Sequence, residues 1–163
     1  MALVVTKFGG TSVASLEQIN KIAQKLKKMK EEGNTIVVVV SAMGNTTDEL
    51  IKKVKTISGN FSCREMDMLL ATGEQQSAAF LALCLIKSGS EAISLNAWQA
   101  GIKSDASHGK AKIRSIDITR IKEELDQGKI VVIAGFQGIS PMGDITTLGR
   151  GGPIPPPPLW QPG

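Results

Sequence analysis

The chain has 163 residues, a formal net charge of +4, 42% hydrophobic residues and 21% charged residues. This composition can form the core of one domain and argues against disorder, and no run approaches the roughly 18 apolar residues of a membrane span. The two cysteines lack metal-type spacing, and the first residues lack a basic leader and a cleavage site. We therefore expect a cytoplasmic protein without a membrane partner.

The composition changes abruptly at Gly152. Six of the seven prolines lie in the last eleven residues, and no Lys, Arg, Asp or Glu follows Gly152. Residues 1–152 are therefore expected to form the domain, and residues 153–163 an uncharged, proline-rich tail.

Strands and helices alternate along the predicted domain. Apolar residues at helical spacing predict helices, and short β-branched runs predict buried strands. The alternation indicates an α/β domain with a largely parallel sheet. The predicted strands are residues 3–8, 35–40, 91–95, 112–116 and 129–134; the predicted helices are residues 15–32, 48–57, 62–87 (with Gly73 as a candidate break) and 118–127.

Five lysines lie on the first predicted helix, between residues 21 and 30. Such a basic face is usually solvated, although it could also contact a polyanion. Because no aromatic residues are interleaved with these lysines, the pattern does not favour nucleic acid as a partner.

Small and polar residues follow several predicted strands, where ligands gather in parallel sheets. Gly9 and Gly10 would let backbone N–H groups approach an anion, with Lys7 beside them, but the same glycines could simply form a tight turn. The sequence contains neither a Walker A motif nor G-x-G-x-x-G. The pattern alone therefore predicts an anion site of unspecified kind.

Three other residues are candidates for a functional site. Glu74, in an apolar helical stretch, could face a substrate ammonium group or be an ordinary exposed glutamate. Arg150, between glycines, could bind a carboxylate through two hydrogen bonds or lie in a surface loop. His108, the only histidine, has no catalytic partners in view and is interpreted as structural or exposed.

Taken together, these segments resemble the aspartate kinases of the amino acid kinase superfamily. The resemblance rests on motifs that occur in family order across residues 3–152. These are KFGGTSV from Lys7, VVSAMG from Val39 with Thr46-Thr47-Asp48, Leu69-Leu70 with Gly73-Glu74, QAGI from Gln99, GFQG from Gly135 and TTLGRGG from Thr146.

The resemblance implies a three-layer α/β/α domain that phosphorylates the side-chain carboxylate of L-aspartate with MgATP, the entry step to lysine, threonine and methionine synthesis. It implies a homo-oligomeric intact protein and assigns no metal site to the protein itself. Lys7 would neutralise the transferring phosphoryl group, with Gly9, Gly10, Gly151 and Gly152 near phosphate. The aspartate pocket would contain Ser41, Thr47, Glu74, Phe136 and Arg150, with Glu74 facing the α-amino group and Arg150 the α-carboxylate.

The tail departs from the family pattern, which continues Gly-Arg-Gly-Gly with Ser-Asp-Thr-Thr-Ala and an alanine-rich helix. A coding sequence for Ser-Asp-Thr-Thr-Ala-Ala-Ala-Leu-Ala-Ala-Gly, read one base later, can encode this tail. The hypothesis is a one-base loss near the codon for Gly152. A genuine polyproline II tail that binds an aromatic groove is the competing interpretation.

The resemblance also implies that the ATP-binding half and the regulatory domains are missing, so we expect this chain to be inactive or nearly so. The alternative is a non-catalytic fragment that binds aspartate or another anion, or that associates through an open sheet edge. A different member of the amino acid kinase superfamily, such as one acting on glutamate or a nucleotide, is a further alternative, which the Lys7–Val13 motif disfavours.

Overall fold

The computed structural model describes residues 2–57 and 63–149. Its main sheet has four parallel strands, in the spatial order β1-β2-β6-β3. These strands are β1 (Leu3–Phe8), β2 (Thr35–Val40), β3 (Ala92–Leu95) and β6 (Ile130–Ala134). Because all four run in one direction, their carboxyl ends share one edge of the sheet.

Helices cover both faces of this sheet. On one face, α1 (Leu16–Glu31) and α3 (Cys63–Lys87) pack against alternate residues of β2 and β6 in one hydrophobic cluster. On the other face, Ile118 and Ile121 from the start of α4 (Thr119–Asp126) pack against the intervening residues in a second cluster. All five residues of β6 are buried, as expected for a strand covered on both faces. The predicted three-layer α/β/α architecture is confirmed.

The boundaries of the predicted elements are close to the observed ones. Ser15 is the N-cap of α1 and accepts a hydrogen bond from the Gln18 N–H at 3.2 Å. The short helix α2 (Thr46–Lys55) begins two residues earlier than predicted. Gly73 does not interrupt α3, which is continuous from Cys63 to Lys87.

Most of a second sheet lies outside the sequence prediction. It contains β4 (Ile102–Ser104), β5 (Ile113–Ile116), β7 (Gln137–Ile139) and β8 (Ile145–Thr147), in the order β5-β4-β7-β8. Only β5 corresponds to a predicted strand, because the other three are three-residue segments that are too short to show a periodic apolar pattern.

Helix α3 is the central helix of the domain. Within the described residues it is long and apolar enough to span a bilayer, but half of its qualifying window is buried inside the protein. Its buried positions also include Asp67 and Glu74. Burial against the sheet therefore accounts for its apolar composition.

Asp67 fastens α3 to the second sheet. Its side chain is 1% exposed and accepts hydrogen bonds from the Gly109 N–H, at 3.0 and 3.1 Å to the two oxygens, and from the Thr147 hydroxyl. His108 Nδ1 lies 2.8 Å from Asp67 Oδ2. Of the two roles considered for His108, structural or solvent-exposed, this contact supports the structural one.

We predict that Asp67→Asn strongly destabilises the domain. The amide presents an N–H₂ group to donors, so the substitution should lower the free energy of unfolding by about 3 kcal/mol, as for other broken buried networks. Urea denaturation followed by circular dichroism measures the loss. The matched control is Asp126→Asn at the exposed end of α4, with an expected change below about 0.5 kcal/mol. Equal effects of the two substitutions would contradict the assignment.

Candidate functional site

Glu74 lies at the centre of the candidate site. The residue is 3% exposed, and its Oε1 accepts a hydrogen bond from the Ala42 backbone N–H at 3.1 Å. Its other oxygen, Oε2, is buried with no hydrogen-bond partner in the described structure. The interpretation of Glu74 as an exposed helix glutamate is therefore wrong, and its carboxylate retains capacity for one more donor.

Gly73 allows this contact by letting α3 approach the loop after β2. A Cβ atom built on Gly73 would lie 2.8 Å from the Cβ of Ala42 and 3.5 Å from the Thr46 methyl carbon. Glycine inside a helix costs about 1 kcal/mol relative to alanine. The close approach of Glu74 to Ala42 is the structural reason for accepting this cost.

Burial changes the acidity of Glu74. Loss of solvation raises the pKa of its carboxyl from 4.5 to about 7, while the hydrogen bond from Ala42 acts in the opposite direction. Desolvation is the dominant cause because the environment of Oε2 offers no compensating donor. A cationic ligand group beside Oε2 would favour the ionised form.

The Gly9-Gly10 loop lies against the same backbone segment. A Cβ atom on Gly10 would be 3.0 Å from the Ala42 carbonyl oxygen, and Gly10 itself accepts a hydrogen bond from the Gly44 N–H at 3.1 Å. The N–H of Ala42 thus donates to Glu74, and the C=O of the same residue lies beside the glycine loop. The following helix begins only at Leu16, so its N-terminus does not directly follow the glycines.

Three further predicted site residues, Lys7, Ser41 and Thr47, differ in their exposure. Lys7 is exposed near the end of β1 and is in register with Val39 of β2. Ser41 is half-buried, and its N–H donates to the Phe8 carbonyl at 3.0 Å, which ties the ends of β1 and β2 together. Thr47 is half-buried in the first turn of α2.

Phe136 follows the neighbouring strand β6 at the same edge of the sheet. The Gly135 N–H donates to the Val40 carbonyl at 2.9 Å, directly before Ser41. Phe136 is half-buried and adopts φ +62°, the left-handed region. The three predicted site residues at the end of the domain, Arg150, Gly151 and Gly152, lie outside the described residues.

The chain folding thus brings together residues that are far apart in sequence. Gly10, Ser41, Glu74 and Phe136 come from four segments that meet where β1, β2 and β6 end. No group of three His, Cys, Asp or Glu side chains among residues 2–57 and 63–149 could hold a metal ion. The site combines a buried carboxylate with a glycine loop, a pairing suited to an ammonium group on one side and an anion on the other.

Two contributions were not recognised in the sequence. One is the Ala42 N–H, a backbone group that no residue pattern could reveal. The other is Gln137, which is 1% exposed and reaches three separate segments. Its position in the GFQG motif was the available signal.

Comparison with known proteins identifies the family. The model of the amino acid kinase family matches residues 2–152. An aspartokinase from Geobacillus stearothermophilus is 56% identical over 152 residues, which are 93% of this chain and 37% of that protein. The chain therefore spans little more than a third of the length of such a relative.

Solved structures agree with this comparison. An aspartate kinase from Synechocystis is 49% identical with a TM-score of 0.75, covering 91% of this chain and 24% of that one. E. coli aspartokinase III, solved in complex with aspartate and ADP, is 21% identical with a TM-score of 0.71, and the match covers 93% of this chain and 44% of that one. At this identity the likeness shows the fold alone. The family match includes every residue that the structure describes: the chain belongs to the amino acid kinase family.

Proposed function

We propose that this chain is the amino-terminal, substrate-binding part of an aspartate kinase, with residues 1–152 forming that part of the kinase domain. The observation that carries the proposal is the buried Glu74 carboxylate, whose Oε2 has no partner in the described structure. A desolvated, unsatisfied oxygen is costly in a folded protein. The α-ammonium group of L-aspartate would supply the missing donor and the opposite charge.

The phosphoryl side of the site would be formed by Lys7, Gly9 and Gly10. A side chain at Gly10 would crowd the Ala42 carbonyl oxygen, which would lie 3.0 Å from the added Cβ atom; this supports a role for bare backbone at this point. The exposed Lys7 ammonium would neutralise charge on the transferring phosphoryl group. Gly151 and Gly152 remain predicted phosphate contacts.

The remaining aspartate contacts are proposed from the family motifs. Ser41, Thr47 and Phe136 would line the pocket between the ends of β2 and β6, which the Gly135–Val40 hydrogen bond holds adjacent. Arg150 would bind the α-carboxylate in a bidentate arrangement. These contacts would leave the side-chain carboxylate of aspartate directed at the nucleotide.

The proposed reaction needs no strong protein base. A side-chain carboxylate oxygen of aspartate attacks the γ-phosphorus of MgATP, and the bond from that phosphorus to the oxygen bridging the β- and γ-phosphates breaks. The products are 4-phospho-L-aspartate and ADP. Positioning and charge stabilisation supply the catalysis, as is general for phosphoryl transfer.

The share of the kinase present limits what the chain alone should do. Aspartate kinase relatives such as the Geobacillus protein are covered over 37% of their length, and the family motifs in this chain end at Gly152. We therefore expect aspartate binding without efficient turnover. Oligomerisation and a cytoplasmic location remain expectations for the intact protein.

We predict that Glu74→Gln abolishes or greatly weakens aspartate binding. Removing one partner of a buried charge pair costs about 2–5 kcal/mol, which weakens affinity by roughly thirtyfold or more. Isothermal titration calorimetry of L-aspartate at pH 8 measures the change. The matched control is Glu123→Gln on the exposed face of α4, which should bind like the parent chain.

Two calorimetric outcomes would contradict the proposal. Retained affinity in Glu74→Gln would remove Glu74 from the site. If the parent chain bound neither aspartate nor MgATP, a non-catalytic, self-associating fragment would become the better interpretation.

The pKa of Glu74 predicts a pH dependence of stability. Because the folded pKa of about 7 lies above the ordinary 4.5, the protonated form is favoured by folding, and stability falls as pH rises from 4.5 through 7. A shift of this size corresponds to roughly 3 kcal/mol. The free energy of unfolding of Glu74→Gln, relative to that of the parent chain, should therefore increase between pH 5 and pH 8.

Urea denaturation at several pH values measures this difference. Acids whose pKa is lowered, such as Glu124 beside Lys129, give stability the opposite pH dependence. Their contribution is the same in Glu74→Gln and in the parent chain, so it cancels in the difference. A stability difference that did not change with pH would contradict the raised pKa of Glu74.

The origin of the proline-rich tail in a shifted reading frame remains a hypothesis. The tail lies outside the described residues. The family match stops at residue 152, which supports the boundary. Sequencing the encoding DNA tests the idea: a kinase coding sequence should continue in another frame after the codon for Gly152. Its absence would support a genuine tail.

A further inference from the structure

Phe136 has an unusual backbone conformation for its residue type. Its φ of +62° is the only positive value among the described residues other than glycine. For a bulky L-residue the left-handed region costs roughly 1–2 kcal/mol, and such strain persists only where surrounding contacts enforce it. Contacts around Phe136 must therefore hold it in this conformation.

The backbone is held on both sides of Phe136. The Gly135 N–H donates to the Val40 carbonyl at 2.9 Å, and the Phe136 carbonyl accepts from the Leu148 N–H at 2.9 Å. These bonds fix the ends of the segment to β2 and to the residue after β8. The next residue, Gln137, adds a third attachment through its side chain.

The Gln137 amide connects three segments while 1% exposed. Its Nε2 donates to the Ala71 carbonyl of α3 at 3.2 Å and to the Gly135 carbonyl at 3.5 Å. Its Oε1 accepts from the Ala97 N–H at 3.4 Å and from Gln75 Nε2 at 3.5 Å. Both N–H donors and both acceptor positions of the amide are thus directed at partners.

These contacts relate Phe136 to Glu74. Ala71 and Gln75 are on α3, within one helical turn of Glu74 on either side. The amide therefore spans from the helix that carries the buried carboxylate to the segment that carries the strained phenylalanine. It also bonds the carbonyl of Gly135, the residue that precedes the left-handed position.

We infer that Gln137 is a positioning residue for the substrate: its amide holds residue 136 in the left-handed conformation and thereby sets the Phe136 wall of the aspartate pocket relative to Glu74. The inference rests on the proposed function and deepens it. Without the amide, a residue with a side chain would relax towards negative φ and shift the pocket wall. A glycine would not be driven to relax, because positive φ costs it little.

The test replaces Gln137 by methionine, which has a similar length and cannot form these hydrogen bonds. The substitution Gln137→Met is made in three backgrounds: the parent chain, Phe136→Ala and Phe136→Gly. Alanine removes the ring but keeps the strain, whereas glycine removes both, so the pair separates the two effects. Each full-length variant is measured by calorimetry with L-aspartate and by thermal unfolding.

We expect Gln137→Met to weaken aspartate binding about tenfold in the parent background, where the ring of Phe136 forms the wall. In the Phe136→Ala and Phe136→Gly backgrounds, which lack the ring, we expect a loss of less than threefold. We also expect Gln137→Met to lower Tm more in the Phe136→Gly background than in the other two. In those two backgrounds the relief of backbone strain partly offsets the lost hydrogen bonds, whereas glycine has no such strain to relieve. An amide that merely filled the core would lower Tm equally in all three backgrounds and leave the affinity pattern independent of the residue at position 136.

The two measurements separate this inference from the proposed function. A parent chain that does not bind aspartate overturns the proposed function, and the substrate role of Gln137 falls with it. The Tm comparison still decides whether Gln137 enforces the left-handed conformation: equal Tm changes in the alanine and glycine backgrounds would overturn that claim even if aspartate binds.

Discussion

The candidate site depends on one contact, the hydrogen bond from the Ala42 N–H to the Glu74 carboxylate. It joins the longest helix of the domain to the loop after a central strand. The contact exists only because Gly73 leaves room for Ala42. The glycine loop lies on the other side of the same residue, so a small displacement of α3 would alter the relation between the carboxylate and the loop.

This contact satisfies only one of the two carboxylate oxygens of Glu74, and Oε2 has no hydrogen-bond partner in the described structure. Two carboxylates on α3 illustrate this, since Asp67 is fully surrounded by donors and His108 whereas Glu74 has, in the described structure, one donor and one orphaned oxygen. The first stabilises the fold and the second carries a desolvation cost that a ligand can relieve. Proteins commonly concentrate such costs at functional sites, and this difference in environment distinguishes the two acids.

Much of the main sheet could be predicted from the sequence, because β2 and β6 are continuous β-branched runs and α1 has a regular apolar spacing. Most of the second sheet could not, since three of its four strands have only three residues each and are fixed by tertiary contacts such as those of Asp67. The family motifs marked Glu74 and Phe136, but neither the burial of Glu74 nor the positive φ of Phe136 follows from residue type. Both depend on which segments the fold brings together.

We propose that Glu74 is a buried acid whose ionised form is stabilised by the ammonium group of the substrate. The most direct test is to follow the Glu74 side-chain carboxyl carbon by NMR through a pH titration, without and with saturating L-aspartate. We predict a midpoint near 7 in the free chain, and a clearly lower midpoint with aspartate because the ammonium group favours the carboxylate. A midpoint near 4.5 in the free chain, or one that aspartate leaves unchanged, would contradict this role of Glu74.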